Sequence, residues 1–272
     1  MEIVIKPYKF LRFNFKEFIE YRDTLFFLVW KDIKIKYKQT LLGFLWVIIQ
    51  PLLMVLVFVL LQRAIVIPIS DSNIPYALFV LSGILYWNLF SSSVTNSSNS
   101  IVNNANMLKK IYFPRIFFPL SSLLVSLFDF FIAIVIYIPL MFYYKIYPTE
   151  NIFWIFPLTL ILVIMISLGI GSFFSALNVI YRDVKYVIPY FVQLLFFISP
   201  IFYNSKFIAN KFINNIYYLN PFVGILELLR YGLFSMEPYK VGVLISIVSN
   251  VIVFILGLYY FRKIENIFAD LV

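Results

Sequence analysis

The sequence predicts an all-α integral membrane protein. It is expected to have six transmembrane helices, an N-terminal cytoplasmic amphipathic interface helix, and a re-entrant external segment between spans five and six. Three observations carry that expectation. The 272-residue chain is 62% hydrophobic and 13% charged, with a mean hydropathy of +0.93, whereas soluble domains carry about a quarter charged residues. A soluble fold of this length could not bury so much apolar surface. The apolar residues gather in runs close to the ~20 that a helix needs to cross hydrocarbon. Lysine and arginine concentrate in alternate connections, as topology demands. The chain divides into an N-terminal region 1–40, a transmembrane domain 41–262 that includes the external segment 204–240, and a tail 263–272.

The first forty residues are mixed and charged, without the short basic region, apolar run and small-residue cleavage site of a signal peptide. Their end, "WKDIKIKYKQTLLGFLWVIIQP", runs straight into an apolar stretch that has no charge until Arg63. On a helical wheel Phe26, Val29, Trp30, Ile33 and Tyr37 share one face, and Lys31, Lys34 and Lys38 share another. That pattern fits a helix lying on the inner membrane surface, with its lysines near anionic headgroups. Lys36 falls at the edge of the apolar face, where it can snorkel. The helix can serve as an anchor, as a docking surface for a cytoplasmic partner, or as both.

Span one is expected at 41–62, span two from Pro75 to about Val102, and span three at 116–143. Span four follows at 152–179, a short span five at 187–203, and span six at 241–261. Segment 204–240 is apolar but broken by Lys206, Lys211, Asn214, Asn215, Asn220, Pro221, Glu227 and Arg230. It reads as a re-entrant piece or an interfacial loop. With an inside N-terminus, segments 1–40, 103–115, 180–186 and 262–272 hold 9, 3, 2 and 2 basic residues, sixteen of the 22. Both termini are then cytoplasmic. The net charge of +9 reads as topological, and nucleic acid is not an expected partner.

Several intramembrane residues call for a reason. Pro51 in span one removes a backbone donor and should kink the helix, and Pro119, Pro139, Pro157, Pro189 and Pro200 should act similarly. The stretch "SSSVTNSSNSIVNNAN" is too polar for lipid on all sides. It either lines an aqueous path or projects as a cytoplasmic helix extension. Ser167, Gly171 and Ser175, then Gly242, Ser246 and Asn250, place small or polar residues four apart, a spacing that allows close helix packing. Asp129 lies near the centre of span three, where a charge is expensive. With no second intramembrane carboxylate it reads as a hydrogen-bonded structural group rather than an ion relay. Glu227 and Arg230, three apart, are expected to pair with each other.

The chain has no cysteine and no histidine, which removes thiolate chemistry, the commonest metal ligand and the commonest general base. No GxSxG, HExxH or paired-carboxylate pattern occurs, and no Gly-Lys dipeptide, so there is no P-loop. No catalytic residue, metal site or cofactor is expected in this chain, and any ATPase must be another subunit. Aromatics make up 21% of residues and concentrate in "PYFVQLLFFISPIFY". Most such residues pack or sit in interfacial belts, but their faces could also stack on sugar rings.

Four stretches taken together resemble a known family. They are "LVWKDIKIKYKQTLLGFLWVIIQPLLMVLVF", "NANMLKKIYFPRIFFPLSS", "NVIYRDVKYVIPYFVQLLFFISPIFY" and "LNPFVGILELLRYGLF". In this order they are similar to the permease subunit of ABC-type polysaccharide exporters, the type-2 class that exports O-antigen, capsule or teichoic acid. The resemblance covers nearly the whole chain. It implies a half-transporter in the bacterial cytoplasmic membrane, paired with a second copy of itself. Two ATP-binding cassette subunits would carry the ATP and magnesium, and the cargo would be a lipid-linked polysaccharide.

The same resemblance implies that spans one and five line the path, with Trp46 and Phe58 from the first. Tyr190, Phe191, Phe196, Phe197 and Phe202 would line it from the second. The ATPase would dock on Lys31, Lys34 and Lys38 and on Lys109, Lys110 and Arg115, joined by Arg182 and Asp183. Segment 207–235 would form an outer gate. The alternatives are a teichoic acid or capsule permease, a membrane-embedded glycan polymerase or transferase, and a non-transporting scaffold or small-solute channel.

Overall fold

The structure is a computed structural model and describes residues 15–38, 42–64, 74–205 and 211–268. The start of the expected N-terminal region, Lys206 and the last four tail residues lie outside the described residues. Helix α1 spans Phe15–Glu20 and α2, the basic surface helix, Arg22–Lys38. Next come α3 (Leu45–Ala64), α4 (Tyr76–Asn103), α5 (Ala105–Lys110), α6 (Phe117–Tyr143) and α7 (Ile152–Ile180). The chain continues through α8 (Val184–Ile198), α9 (Lys211–Tyr217), α10 (Pro221–Phe234) and α11 (Lys240–Ile264), and ends in a 3-10 turn, Glu265–Ile267. No strand occurs among the described residues. Helices α3, α4, α6, α7 and α11 are long and apolar enough to cross a membrane; α8, with 15 residues, is shorter.

Helix α4 is the central post. From Tyr76 to Trp87 only Ala77 escapes full burial, and α6 and α7 pack along it. Helix α11 packs on α7, and α10 wedges between α7 and α11. Helix α3 sits at the edge, with Leu53, Met54, Leu56, Val57, Leu60 and Leu61 exposed. In a bilayer these apolar faces meet lipid or another protein rather than water.

Small and polar residues join the helices at close quarters, as the four-residue repeats predict. A Cβ added at Gly257 would lie 2.1 Å from the Gly169 carbonyl oxygen, so α11 and α7 touch backbone to backbone. Asn250 donates to the Leu162 carbonyl (2.9 Å), and Asn178 to the Ser98 carbonyl (3.0 Å). Ser97 donates to the Pro119 carbonyl at 2.9 Å, tying α4 to the first turn of α6.

Two expectations about proline are corrected. Pro119 stands in the first turn of α6, where its missing N–H has no helical acceptor in any case. Pro200 lies beyond the end of α8. Pro51, Pro139, Pro157 and Pro189 are inside helices. Pro51 is buried against protein, which suits the carbonyl that its ring leaves without a donor.

The external segment becomes α9 and α10. The sequence "LNP" starts α10 directly: the Asn220 side chain caps the Phe222 N–H at 3.1 Å, with Pro221 at the first helical position. Ser235 ends the helix in the left-handed region at φ 59°. Glu227 and Arg230 do not form an ion pair, contrary to expectation. The Glu227 carboxylate accepts from the Ser205 and Tyr218 hydroxyls and from the Tyr239 N–H (3.1 Å). Arg230 instead donates to the Ile201 carbonyl at 2.9 Å and the Tyr203 carbonyl at 3.4 Å. Residues one turn apart can meet, but here the neighbouring bends offer each group fixed partners on separate sides.

A second, smaller core gathers at one end of the bundle. It joins Leu28 of α2, Ile101 of α4, Phe117 of α6, Val179 of α7, Ile264 of α11 and Phe268. The segments with the basic excess therefore share that end, as the charge bias implies. The surface helix departs from its wheel. Leu28 is wholly buried while Phe26 and Trp30 stay exposed, so α2 has a protein-facing side in addition to its exposed apolar and basic sides.

Candidate functional site

Where α2 gives way to α3, the chain passes from the surface into the bundle. Gly43, at φ +49°, makes that turn with open space around it. Beside the turn, Lys36 forms an ion pair with Asp129 of α6, and the Tyr37 hydroxyl donates to the same carboxylate. The expected snorkelling of Lys36 is thus corrected: the aspartate claims the ammonium, because an unpaired carboxylate at that depth would be costly. Asp129 is thus a hydrogen-bonded, ion-paired carboxylate. Burial, and then the bond to Asp129, push the Tyr37 phenol well above its ordinary pKa, so it remains a donor.

A cleft of about 550 Å3 opens at this junction between α2, α3, α4 and α6. Helix α4 contributes Asn88, Ser91, Ser92, Thr95 and Asn96. Trp46 and Gln50 face it from α3, and Ser126 and Asp129 from α6. This resolves the polar stretch into two faces. Ser93, Ser97, Ser98 and Ser100 are buried in the bundle, and Ser98 and Ser100 bond back to carbonyls three residues earlier, at 2.7 and 2.6 Å. The other face lines the cleft.

The expected path aromatics separate into groups. Phe58 of α3 stacks on Phe202 at 4.9 Å and lies 6.1 Å from Phe196 of α8, and Phe197 contacts Phe196 at 5.5 Å. Trp87 of α4 joins this cluster at 5.5 Å from Phe196. Phe58 and Phe196 are buried within the chain, while Phe197 and Tyr190 are exposed. Phe191 instead packs on Phe174 at 5.2 Å. Trp46 stands apart, in the polar cleft.

The expected docking residues lie on or beside the elements that meet at the second core. Lys109, Lys110 and Arg115 line a groove of about 290 Å3 with Tyr112. Lys31 donates to Asn104 at 2.7 Å and pairs with Asp32 at 3.3 Å, which ties α2 to the α4–α5 corner. The Lys34 ammonium lies 5.5 Å from the Trp30 ring centroid. Lys38 is exposed, as are Arg182 and Asp183 between α7 and α8. Sequence reasoning missed Lys36 and Tyr37 as site residues; the signal available was the lone Asp129, which required a partner.

The family model for the ABC-2 type transporter matches residues 24–234, from the basic surface helix to the last residue of α10. The chain belongs to the ABC-2 type transporter family. Its relatives are similar over most of their length. The O-antigen export system permease protein RfbA of Klebsiella pneumoniae is 32% identical over 253 residues, 92% of this chain and 95% of that protein. The RfbA protein of Myxococcus xanthus is 30% identical over 78% of this chain and 80% of its own length. The polysialic acid transport protein KpsM of Escherichia coli is 26% identical, covering 74% of this chain and 77% of its own. ABC-2 membership accounts for a bundle of long apolar helices that has no P-loop of its own.

Proposed function

We propose that the chain is the transmembrane subunit of an ATP-driven exporter that moves a lipid-linked polysaccharide, of O-antigen type, out across the bacterial cytoplasmic membrane. The observation that carries the reading is the 32% identity to an O-antigen export permease along 92% of this chain. The lower identity to KpsM, 26%, favours O-antigen over a capsule cargo.

In this reading two copies form the conduit, and the exposed apolar face of α3 supplies the contact between them. Helix α8, with the bend from Ser199 to Tyr203, makes the sixth crossing, so both termini are cytoplasmic. The exposed rings of Tyr190 and Phe197 face the path, while Phe58 and Phe196 lock α3 to α8. Two separate ATP-binding subunits, with their ATP and magnesium, dock on Lys109, Lys110, Arg115 and the basic side of α2. Their closure pushes on α2 and α5, which the Lys31–Asn104 bond joins, and the push reaches α3 through Gly43. Helices α9 and α10 cover the outer exit; residues 207–210 of the expected gate lie outside the described residues. A glycan polymerase or transferase would need convergent acid and base groups, and the Asp129 carboxylate is already held by Lys36 and Tyr37.

Disrupting the gene tests the proposal. Long-chain glycan should vanish from the cell surface and accumulate on the inner leaflet, and the wild-type chain should restore it. Unchanged surface glycan would overturn the reading.

A further inference from the structure

Helices α6 and α7 both pack along α4 but touch each other far less. In the half of α6 remote from the basic end they leave a slot of about 160 Å3 between them. Leu85 of α4, Ile134 of α6, Phe156 of α7 and Leu233 of α10 line it. Ile138, 49% exposed, stands at its open side. Along α6 the slot runs from Phe130 to Met141, about 16 Å at the rise of an α-helix. That is close to one leaflet of a hydrocarbon core ~30 Å thick.

Only carbon surface faces the slot. The hydroxyls of its lining are turned to protein partners. Tyr86 shares a hydrogen bond with Thr159 at 2.9 Å, Ser82 donates to the Phe79 carbonyl at 2.7 Å, and Tyr137 donates to the Leu78 carbonyl at 3.5 Å. Water therefore finds no partner there. Apolar cavities of roughly 150 Å3 stay dry and take in apolar ligands, and a gap left empty forfeits dispersion contacts along both walls.

Charge at one end narrows the occupant. Met141, Pro148 and Ile152 bring the lining to the α6–α7 connection, and exposed Lys145 and Glu150 alternate with them along the chain. Tyr143, Tyr147 and Trp154 are exposed in the same region, and such rings favour headgroup depth. One cation and one anion at that depth match a phosphate joined to an ammonium.

We propose that this slot holds one acyl chain of a zwitterionic phospholipid of the phosphatidylethanolamine class, drawn from the leaflet remote from the basic end. Lys145 meets its phosphate and Glu150 its ammonium. The lipid is a resident of the fold: its chain fills the gap between α6 and α7 and supports α10 at Leu229 and Leu233. Lipid tails are as apolar as the slot, so packing and the headgroup contacts favour this occupant over bulk lipid. Nothing in the site depends on what the protein exports.

The full chain is placed in phosphatidylglycerol nanodiscs with a trace of phosphatidylethanolamine that carries a diazirine on its acyl chain. After irradiation the adducts are mapped by peptide mass spectrometry. Labelling should concentrate on α6 between Ile134 and Met141 and on α7 near Phe156. It should exceed that of Leu244 and Val248, which are exposed on α11 in the same half of the bundle. Unlabelled phosphatidylethanolamine, in excess over the probe but still minor in the disc, should suppress the slot adducts and spare those on α11. Ile138→Trp and, separately, Ile134→Phe place a ring in the slot. Each should lower slot labelling about tenfold, with α11 labelling and the elution profile unchanged. A phosphatidylglycerol probe should label the slot less in the parent, and Lys145→Ala with Glu150→Ala should make the two probes equal.

Slot labelling no higher than that of α11 would show surrounding lipid only and overturn the proposal. Slot labelling that unlabelled phosphatidylethanolamine does not compete, or that survives in both filled variants, would do the same. So would equal labelling by the two probes in the parent. A slot shielded from the probe altogether, as by another protein helix seated in it, would also overturn it.

Discussion

The guanidinium of Arg230 lies over the ring of Phe79, 3.6 Å from its centroid. Arg230 is on α10 and Phe79 on α4, so this contact fastens the external wedge to the central post. The same guanidinium holds the Ile201 and Tyr203 carbonyls where the chain bends after α8. On the far side of the bend, the Tyr76 hydroxyl holds the Phe202 carbonyl at 3.0 Å.

Lysine cannot reproduce this arrangement, because it lacks the planar fork and the flat face. Arg230→Lys should cost on the order of 2 kcal/mol by leaving buried carbonyls short of donors. The thermal midpoint of the purified chain should fall while its helicity at low temperature is kept. An unchanged midpoint would remove Arg230 from the set of stabilising contacts.

The glycines of α7 and α11 should rank in sensitivity by what a methyl group would strike. At Gly257 it meets a backbone oxygen at 2.1 Å, and at Gly171 a serine side chain at 2.8 Å. Gly257→Ala should therefore exceed the ~1–3 kcal/mol typical of overpacking and sharply reduce the yield of folded protein. Gly171→Ala should be milder, because the Ser97 Cβ at 2.8 Å leaves more room than a carbonyl oxygen at 2.1 Å. The reverse order in yield or melting temperature would contradict the packing described.

Lys109 and Lys110 are exposed and bear little on the fold. Changing both to glutamate should leave melting unaltered but strongly reduce capture of the ATP-binding subunit from a co-expressing strain. Capture by the wild-type chain should weaken as salt rises, since exposed charges are screened beyond roughly 10 Å at 0.1 M. Undiminished capture by the double variant would exclude this corner from the docking surface.

Five of the six expected spans were legible because length and hydropathy are local properties; the expected 187–203 appears as the shorter helix Val184–Ile198. Observed helices such as Phe117–Tyr143 and Ile152–Ile180 fall within a residue or two of the expected 116–143 and 152–179. Contacts between distant segments were not legible. Asp129 stood out as anomalous, but Lys36, 93 positions away, could be recognised as its partner only once α2 was seen to dock on α6. Leu28 was hidden because a single helical wheel assigns one apolar face, whereas α2 buries Leu28 against protein and leaves Phe26 and Trp30 exposed on another side. The ring of Phe58 looks the same in sequence whether it faces a conduit or, as here, stacks on Phe202.

The backbone contact between Gly257 and Gly169 makes the molecule's stiffness uneven. With carbonyl against Cα there is no side-chain cushion for sliding, so α7 and α11 form a strut that shear can hardly deform. Helix α3 has no such backbone contact: it follows the turn at Gly43 and leans on its neighbours through the side chains of Pro51, Val55 and Phe58. In this bundle α3 is therefore the compliant reed, set against the fixed frame of α7 and α11.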